Sequence, residues 1–376
     1  MSVISNMYRG KTDINFPKLF RPMVVVSLIL VAVSITSFFV RELNLSIDFE
    51  GGAVWEVQSA TLTVADASAV LAEVGLEQGA KVQEAKDASG NRLLRVQADT
   101  KDVNVSRDVA QRFADREGIS VDLVATNTVG PSWGSEITRQ AGFSLLVFLV
   151  VIALYISWQL EWRMAASALA AVVHDIIITV GVYSIFSFEV TPATVISFLT
   201  ILGYSLYDTI VVYDRVQENT ARLDRSEKYT YSAIMRRSLN QVLMRSTNTT
   251  LIAILPVVSL LVIGAVLFGQ ATIRDFALAL LIGLISGAYS SIFIAAPFVV
   301  WLKEKEPRYT RIRKKATDRG ELAKADWIPM TEAIAAPAKV AAAAASTGSM
   351  PDATALKAAQ YSRAHPPRPR KQGKTR

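Results

Sequence analysis

The chain contains no cysteine and only two histidines among its 376 residues. Without cysteine there is neither a disulfide framework nor thiol chemistry, and the compartment stays open. One histidine, His365, lies in a Pro- and Arg-rich terminal stretch, which leaves His174 as the only histidine in an apolar run. No Walker loop, zinc-ligand spacing or Ser-His-Asp set appears. The sequence therefore argues against an enzyme and against bound metal, and it calls for no cofactor. Nor is this a basic nucleic-acid-binding fold. The net charge of +7 is misleading, because residues 303–376 hold 17 Lys and Arg against 7 Asp and Glu, more than the whole excess.

What the chain has in abundance is apolar sequence, 51% of all residues. Six stretches are long enough to cross a bilayer, at about 18 or more residues each against the roughly 20 required. They run near Pro22–Val40, Ala141–Trp158, Ala165–Phe186, Val190–Tyr213, Thr247–Phe268 and Ile273–Leu302. The first lacks a small-residue cleavage site and is too long for a secretory signal, so it reads as an uncleaved anchor.

Positive charge sets the orientation. Arg9, Lys11, Lys18 and Arg21 precede the first span. Arg215, Arg222, Arg225, Lys228, Arg236, Arg237 and Arg245 lie between the fourth and fifth. The short loops Ser187–Glu189 and Gly269–Thr272 carry none. Both termini are thus expected in the cytoplasm of a multi-pass plasma-membrane protein. The expected layout is an N-terminal arm (1–21), span 1 (22–40), an extracytoplasmic domain (41–139), spans 2–6 (141–302) with a cytoplasmic loop (214–246), and a basic tail (303–376).

The segment 41–139 is too long to be structureless. Ile47–Val57, Lys81–Glu84, Leu93–Gln97 and Ser120–Thr126 read as strands, with a turn at Ser89-Gly90-Asn91. Thr63–Val74, with Thr63 as N-cap, and Val103–Glu117 read as helices. The order β-α-β-β-α-β predicts a ferredoxin-like α+β domain. The tail is rich in Ala, Pro and basic residues and has few large apolar ones, which predicts a disordered extension attracted to anionic membrane lipid.

Ionisable groups inside the spans carry the functional signal. An Asp at a helix centre costs about 2.5–3.5 kcal/mol to insert. Asp208 lies in the fourth apolar run, His174 and Asp175 interrupt the third, and Arg245 precedes the fifth. Asp208 reads either as a structural acid bonded to a neighbouring hydroxyl or as a carboxylate that loads and releases a proton, and its depth favours the second. Arg245 begins a span of opposite direction and reaches similar depth; it is either a counter-charge for Asp208 or a positive-inside anchor. His174 and Asp175 form either a relay or a pair of structurally bonded side chains. Adjacent helical residues diverge by 100°, so at most one is expected to point down a given path. Gly283, Gly287 and Ser291 recur every four residues, a ladder that admits a close helix neighbour. Gly51 and Gly52, after Asp48, suit a tight bend.

Several strings together resemble the SecF family of bacterial protein-export membrane proteins. They are Asp48-Phe49-Glu50-Gly51-Gly52, Val129-Gly130-Pro131 with Gly134, His174-Asp175, Gly203-Tyr204-Ser205-Leu206-Tyr207-Asp208, Asp214-Arg215 with Glu218-Asn219, Arg245 and Ser290-Ser291. They occur in the family's order across about residues 20–302. Two departures stand out. Tyr207 replaces the usual Asn beside Asp208, and Ser246 follows Arg245 where Thr is usual. The resemblance implies pairing with SecD in an arrangement similar to resistance-nodulation-division transporters. It further implies association with the SecYEG channel, with SecA and YajC as further candidates. The implied role is proton-driven assistance to preprotein translocation, with Asp208 and Arg245, then Asp175 and His174, on the proton path. The alternative reading is half of a proton-coupled exporter of lipids or small molecules, which needs an aromatic-lined cleft in the outer domain. A non-transporting scaffold leaves the buried charges without a role.

Overall fold

The computed structural model describes residues 12–328 except 60, 87–91, 101, 224–227 and 268–270. The expected turn at residues 89–91 and the tail beyond residue 328 lie outside the described residues.

Helix α1 (Phe16–Arg41) is followed by a two-residue strand β1 (Asn44–Leu45) and one helical turn α2 (Ile47–Glu50). The sequence predicts a strand from Ile47 onward. Instead Ser46 starts a turn that Gly51 closes, with φ of 81° and its N–H donated to the Ile47 carbonyl at 2.8 Å. Only glycine adopts such backbone at little cost. Gly52, at φ 116°, then begins β2 (Gly52–Gln58), and a Cβ there would sit 2.6 Å from the Ala98 carbonyl oxygen.

The remaining domain elements are α3 (Val64–Glu73), β3 (Lys81–Lys86), β4 (Arg92–Ala98), α4 (Val103–Glu117) and β5 (Val124–Val129). Thr63 and Asp66 cap α3 reciprocally, side chain to backbone, as the sequence predicts. The sheet is antiparallel throughout, in the order β3-β4-β2-β5. Ala53, Trp55 and Val57 of β2 and Leu94 and Val96 of β4 bury one face against Val70, Leu71, Val109 and Phe113 of the two helices. The Trp55 indole donates to the Ser106 carbonyl at 2.8 Å, which satisfies its only polar atom. Glu56 and Arg95, paired in register, belong to the opposite face.

Five long helices follow among the described residues: α5 (Pro131–Gln159), α6 (Trp162–Phe186), α7 (Pro192–Leu223), α8 (Tyr231–Leu260) and α9 (Ala271–Ser290). A π-helical segment, Ser291–Ala295, joins α9 to α10 (Ala296–Glu304). Among the described residues, six helices are long and apolar enough to span a membrane. They sort into two shells. The apolar windows of α6, α7 and the α9–α10 span are 44–50% buried, whereas those of α1, α5 and α8 are 6–11% buried. The first three therefore form the inside of the bundle, and the others present apolar surface outward. Exposed Trp133 and Trp158 lie at the two ends of α5, about 37 Å apart at 1.5 Å per residue. That span matches a hydrocarbon core with its interfacial layers, where Trp concentrates.

Two segments differ from expectation. Much of the loop expected at 214–246 is helical, because α7 continues to Leu223 and α8 begins at Tyr231. Val212, Tyr213, Val216 and Asn219 bury one face of that extension. Asn219 donates to Ser238 and Gln241, each at 2.8 Å, tying the two protruding ends together. The first part of the expected disordered tail is also folded. Helix α11 (Pro307–Asp318) buries Tyr309 and Ile312, with Tyr309 edge-on to Tyr231 at 5.2 Å. A last turn, α12 (Leu322–Ala325), accepts the Thr230 N–H at the Ala325 carbonyl, 3.0 Å. A few anchoring side chains, too sparse to raise average hydrophobicity, dock this basic segment.

Candidate functional site

The inner shell is built around the contact of α9 with α7. A Cβ on Gly283 would lie 2.3 Å from Ile201 Cδ1, and one on Gly287 would lie 2.9 Å from Ser205 Cβ. Ser291, one step further, bonds the Thr209 hydroxyl at 2.9 Å. The 283-287-291 ladder thus meets a matching ladder, 201-205-209, and backbones approach as small residues allow.

That approach places hydroxyls on the buried acid of α6. Asp175, 1% exposed, accepts three serine hydroxyls. Ser205 Oγ and Ser290 Oγ donate to Oδ2 at 2.6 and 2.7 Å, and Ser286 Oγ donates to Oδ1 at 2.8 Å. His174 Nδ1 lies 3.2 Å from the same Oδ1. The two neighbours therefore touch each other rather than diverging. His174 is buried, and its Nε2 has no hydrogen-bond partner among the described residues. A buried carboxylate is tolerated when hydrogen bonds replace its water, and here three serines on two helices, α7 and α9, supply them.

Asp208 lies one turn beyond Ser205 on α7 and is 7% exposed. Its Oδ2 accepts the Ser246 hydroxyl of α8 at 2.6 Å. Arg245 does not pair with it among the described residues; the exposed guanidinium donates to Tyr207 Oη at 3.4 Å. Both positions that depart from the family pattern, Tyr207 and Ser246, thus touch the charged groups. A small cleft of about 20 Å³ opens beside Asp208, bounded by Tyr204, Tyr207, Thr249, Thr250 and Gly287. It has room for one water.

Gly203 stands apart from this centre, and Tyr204 reaches it only as a wall of the cleft. Nothing approaches a Cβ built on Gly203 within 4 Å, and Tyr204 is about half exposed. Asp48 accepts the Ser46 hydroxyl at 3.2 Å in the turn α2. A Cβ on Gly134 of α5 would lie 2.7 Å from the Phe49 carbonyl oxygen, so that turn seats directly on α5.

The sequence reading allows Asp175 to be structurally bonded and places Ser205 and Ser290 only in family strings; it names neither Ser286 nor the convergence of the three serines on Asp175. Ser286 and Ser290 sit four apart in an apolar run, one face round from the glycine ladder, and that spacing was the available signal. It also missed a charged junction at the other end of the bundle. Glu189, in strand β6 (Glu189–Val190) between α6 and α7, is buried and pairs with Arg95 of β4 at 2.8 Å. Burial pushes the Glu189 carboxyl above its ordinary range, while Arg95 pulls it the other way. Nearby Asp275 is 4% exposed, with Oδ1 on Arg274 Nε at 3.1 Å and Oδ2 without a partner among the described residues.

Comparison with known proteins agrees with this layout. The profile of the family described as "Protein export membrane protein SecD/SecF, C-terminal" matches residues 109–305. The protein translocase subunit SecF of Streptomyces coelicolor is 39% identical over 311 residues, covering 83% of this chain and 82% of that one. The same subunit from Mycobacterium tuberculosis is 39% identical over 310 residues, covering 81% and 70%. A crystal structure of SecDF, described as a translocon-associated membrane protein from Thermus thermophilus, superposes with a TM-score of 0.70 at 32% identity. It covers 79% of this chain, which spans 39% of that longer one. A second SecDF structure, in a super-membrane-facing form, gives 0.56 at 30% identity and covers 82% and 40%. The chain belongs to the SecD/SecF family of protein export membrane proteins.

Proposed function

We propose that this chain is the SecF-type subunit of a Sec protein translocase, and that with a SecD partner it uses the proton motive force to assist preprotein translocation across the plasma membrane. The observation that carries this reading is the pair of buried carboxylates, Asp175 among the inner-shell helices and Asp208 at the contact of α7 with α8. A packing role alone offers no reason to place two acids there, since each is costly at membrane depth. One charge crossing 100 mV yields about 2.3 kcal/mol, comparable to one charge-assisted hydrogen bond.

The working step is a change of hydrogen-bond partner. Ionised Asp208 accepts from Ser246. Once protonated, it donates as well and no longer attracts Arg245, so α7 and α8 lose a reason to stay in register. Asp175 and His174 serve further along the path, where the three serines hold the carboxylate between α6, α7 and α9. Gly283 and Gly287 let the helices slide at close range. The domain between α1 and α5 is ferredoxin-like by its strand order and lies on the extracytoplasmic side, and both termini are cytoplasmic. The remaining partners are the SecYEG channel, with SecA and YajC at its periphery.

The exporter alternative needs an aromatic-lined cleft in the outer domain. Trp55 and Phe113 are instead fully buried in that domain's core, 6.4 Å apart. Complementation is the direct test. Cells depleted of their own SecF-type subunit should regain preprotein processing when this chain and its cognate partner are supplied. They should fail to do so with Asp208→Asn. Restored lipid or drug efflux without restored processing would overturn the assignment.

A further inference from the structure

The hairpin that joins α6 to α7 carries neither of the buried acids, yet it is the shortest link between the helices that do. Asp175 lies upstream of it on α6, and Asp208 lies downstream on α7. Four groups of contacts converge on this hairpin. Arg41 donates to the Ile185 carbonyl at 2.8 Å and Asn44 to the Ser187 carbonyl at 3.2 Å. Strand β1 pairs with β6 in parallel, and the Ser46 N–H reaches the Val190 carbonyl at 2.9 Å. Tyr183, just before the hairpin, donates to the Asp275 carbonyl of α9 at 3.0 Å. The fourth contact crosses to the sheet domain, where Arg95 of β4 meets Glu189 at 2.8 Å.

The covalent links to the sheet domain run through α1 and α5, the outer-shell helices, which hold no buried acid. The Arg95–Glu189 pair is different. It connects the sheet face opposite the domain core directly to the two acid-bearing helices. Charged neighbours frame it on every side: Glu56 of β2 at 3.6 Å from Arg95, Asp48 of α2, and Arg274 and Asp275 at the outer end of α9. Three acids near Glu189 and Arg95 leave Arg95 a second partner, so the pair can part without stranding a cation.

We infer that Arg95–Glu189 is a positioning joint that passes displacement of the α6–α7 hairpin to the sheet domain. This rests on the proton-coupling reading above. The joint does not touch the proton path, so its loss uncouples ion passage from export without stopping ion passage.

The substitution Glu189→Gln suits the test. Because burial outweighs pairing at Glu189, a neutral amide there relieves a desolvation cost, and Arg95 keeps Glu56. Inverted vesicles carrying the full chain with its cognate partner would be assayed for gradient-stimulated preprotein translocation and for the rate at which they dissipate an imposed proton gradient. Glu189→Gln and Arg95→Gln should each lower the stimulation several-fold while dissipation stays parental. Glu189→Asp and Arg95→Lys, which keep the charges, should recover most of the stimulation. Parental stimulation in the Gln variants overturns the joint. So does a parallel fall of stimulation and dissipation, which would mark structural damage. Asp208→Asn, run alongside, separates the two layers. If it keeps its stimulation, the coupling reading itself fails, whatever the joint variants do.

Discussion

Replacing Gly287 by Val tests whether the small-residue ladder holds the serine cage in place. The glycine faces Ser205, and a Cβ at position 287 would lie 2.9 Å from Ser205 Cβ and 3.2 Å from its Cα. Neither atom belongs to a flexible tip, so α7 must move to accommodate the new side chain. Overpacking of this kind costs about 1–3 kcal/mol. The movement also draws the Ser205 hydroxyl from Asp175, a bond now 2.6 Å long. A hydrogen bond to a charged acceptor contributes about 1.5–3 kcal/mol. Together the loss is about 2–6 kcal/mol, with Val regaining a little as the better helix former. The assay is thermal unfolding in detergent beside a matched control, Gly203→Val. Gly203 lies on the same helix as Ser205 but faces open space, so its variant should stay within about 1 kcal/mol of the parent. If Gly287→Val unfolds at the parental temperature, or the two variants are equally damaged, the ladder does not set the α7–α9 contact.

Other expectations follow from the same geometry. Ser246→Ala removes the hydroxyl that Asp208 accepts and should weaken gradient-stimulated export, whereas Ser246→Thr keeps a hydroxyl and should be near parental in the same vesicle assay. Ser286→Ala and Ser290→Ala each delete one donor to Asp175 and should each cost about 1.5–3 kcal/mol in detergent unfolding, with the double variant worse than either. In the sheet domain, the side-chain and backbone hydrogen bonds from Thr63 hold the Asp66 carboxyl below its ordinary range. The cap's contribution is then present above the unfolded-state value near 3.8 and is lost as pH falls through the lower folded value. Amide exchange across Val64–Glu73 should accelerate selectively on that descent, and Asp66→Asn should flatten the response.

Much of this molecule is legible in the order of its residues. The spans declare themselves by length, and α3 and α4 by helical periodicity and, for α3, its Thr63 cap. Asp175 and Asp208 are visible because a charge in an apolar run is rare for an energetic reason. What stays hidden depends on side chains that only tertiary packing brings together. Ser286 reads as an ordinary small residue, and Ser290 only as part of a family string, until α9 is laid against α6. Arg95 and Glu189 are 94 residues apart, and neither is unusual where it stands. Arg245 shows the converse: its sequence position suggests a direct partner for Asp208, and the neighbouring Ser246 fills that place. Ile47–Glu50 misleads because its apolar and acidic residues fit a strand as well as a turn, and Gly51 decides between them. The folded start of the tail rests on Tyr309 and Ile312, anchors too few to show in composition.

The most direct measurement is preprotein translocation into inverted vesicles containing this chain or Asp208→Asn with the cognate partner, with and without an imposed proton gradient. The account predicts that the gradient stimulates translocation with the parent chain and that this stimulation vanishes with Asp208→Asn, while translocation without a gradient is equal in both. Equal stimulation of the two would contradict it and would make Asp208 a structural acid held by Ser246.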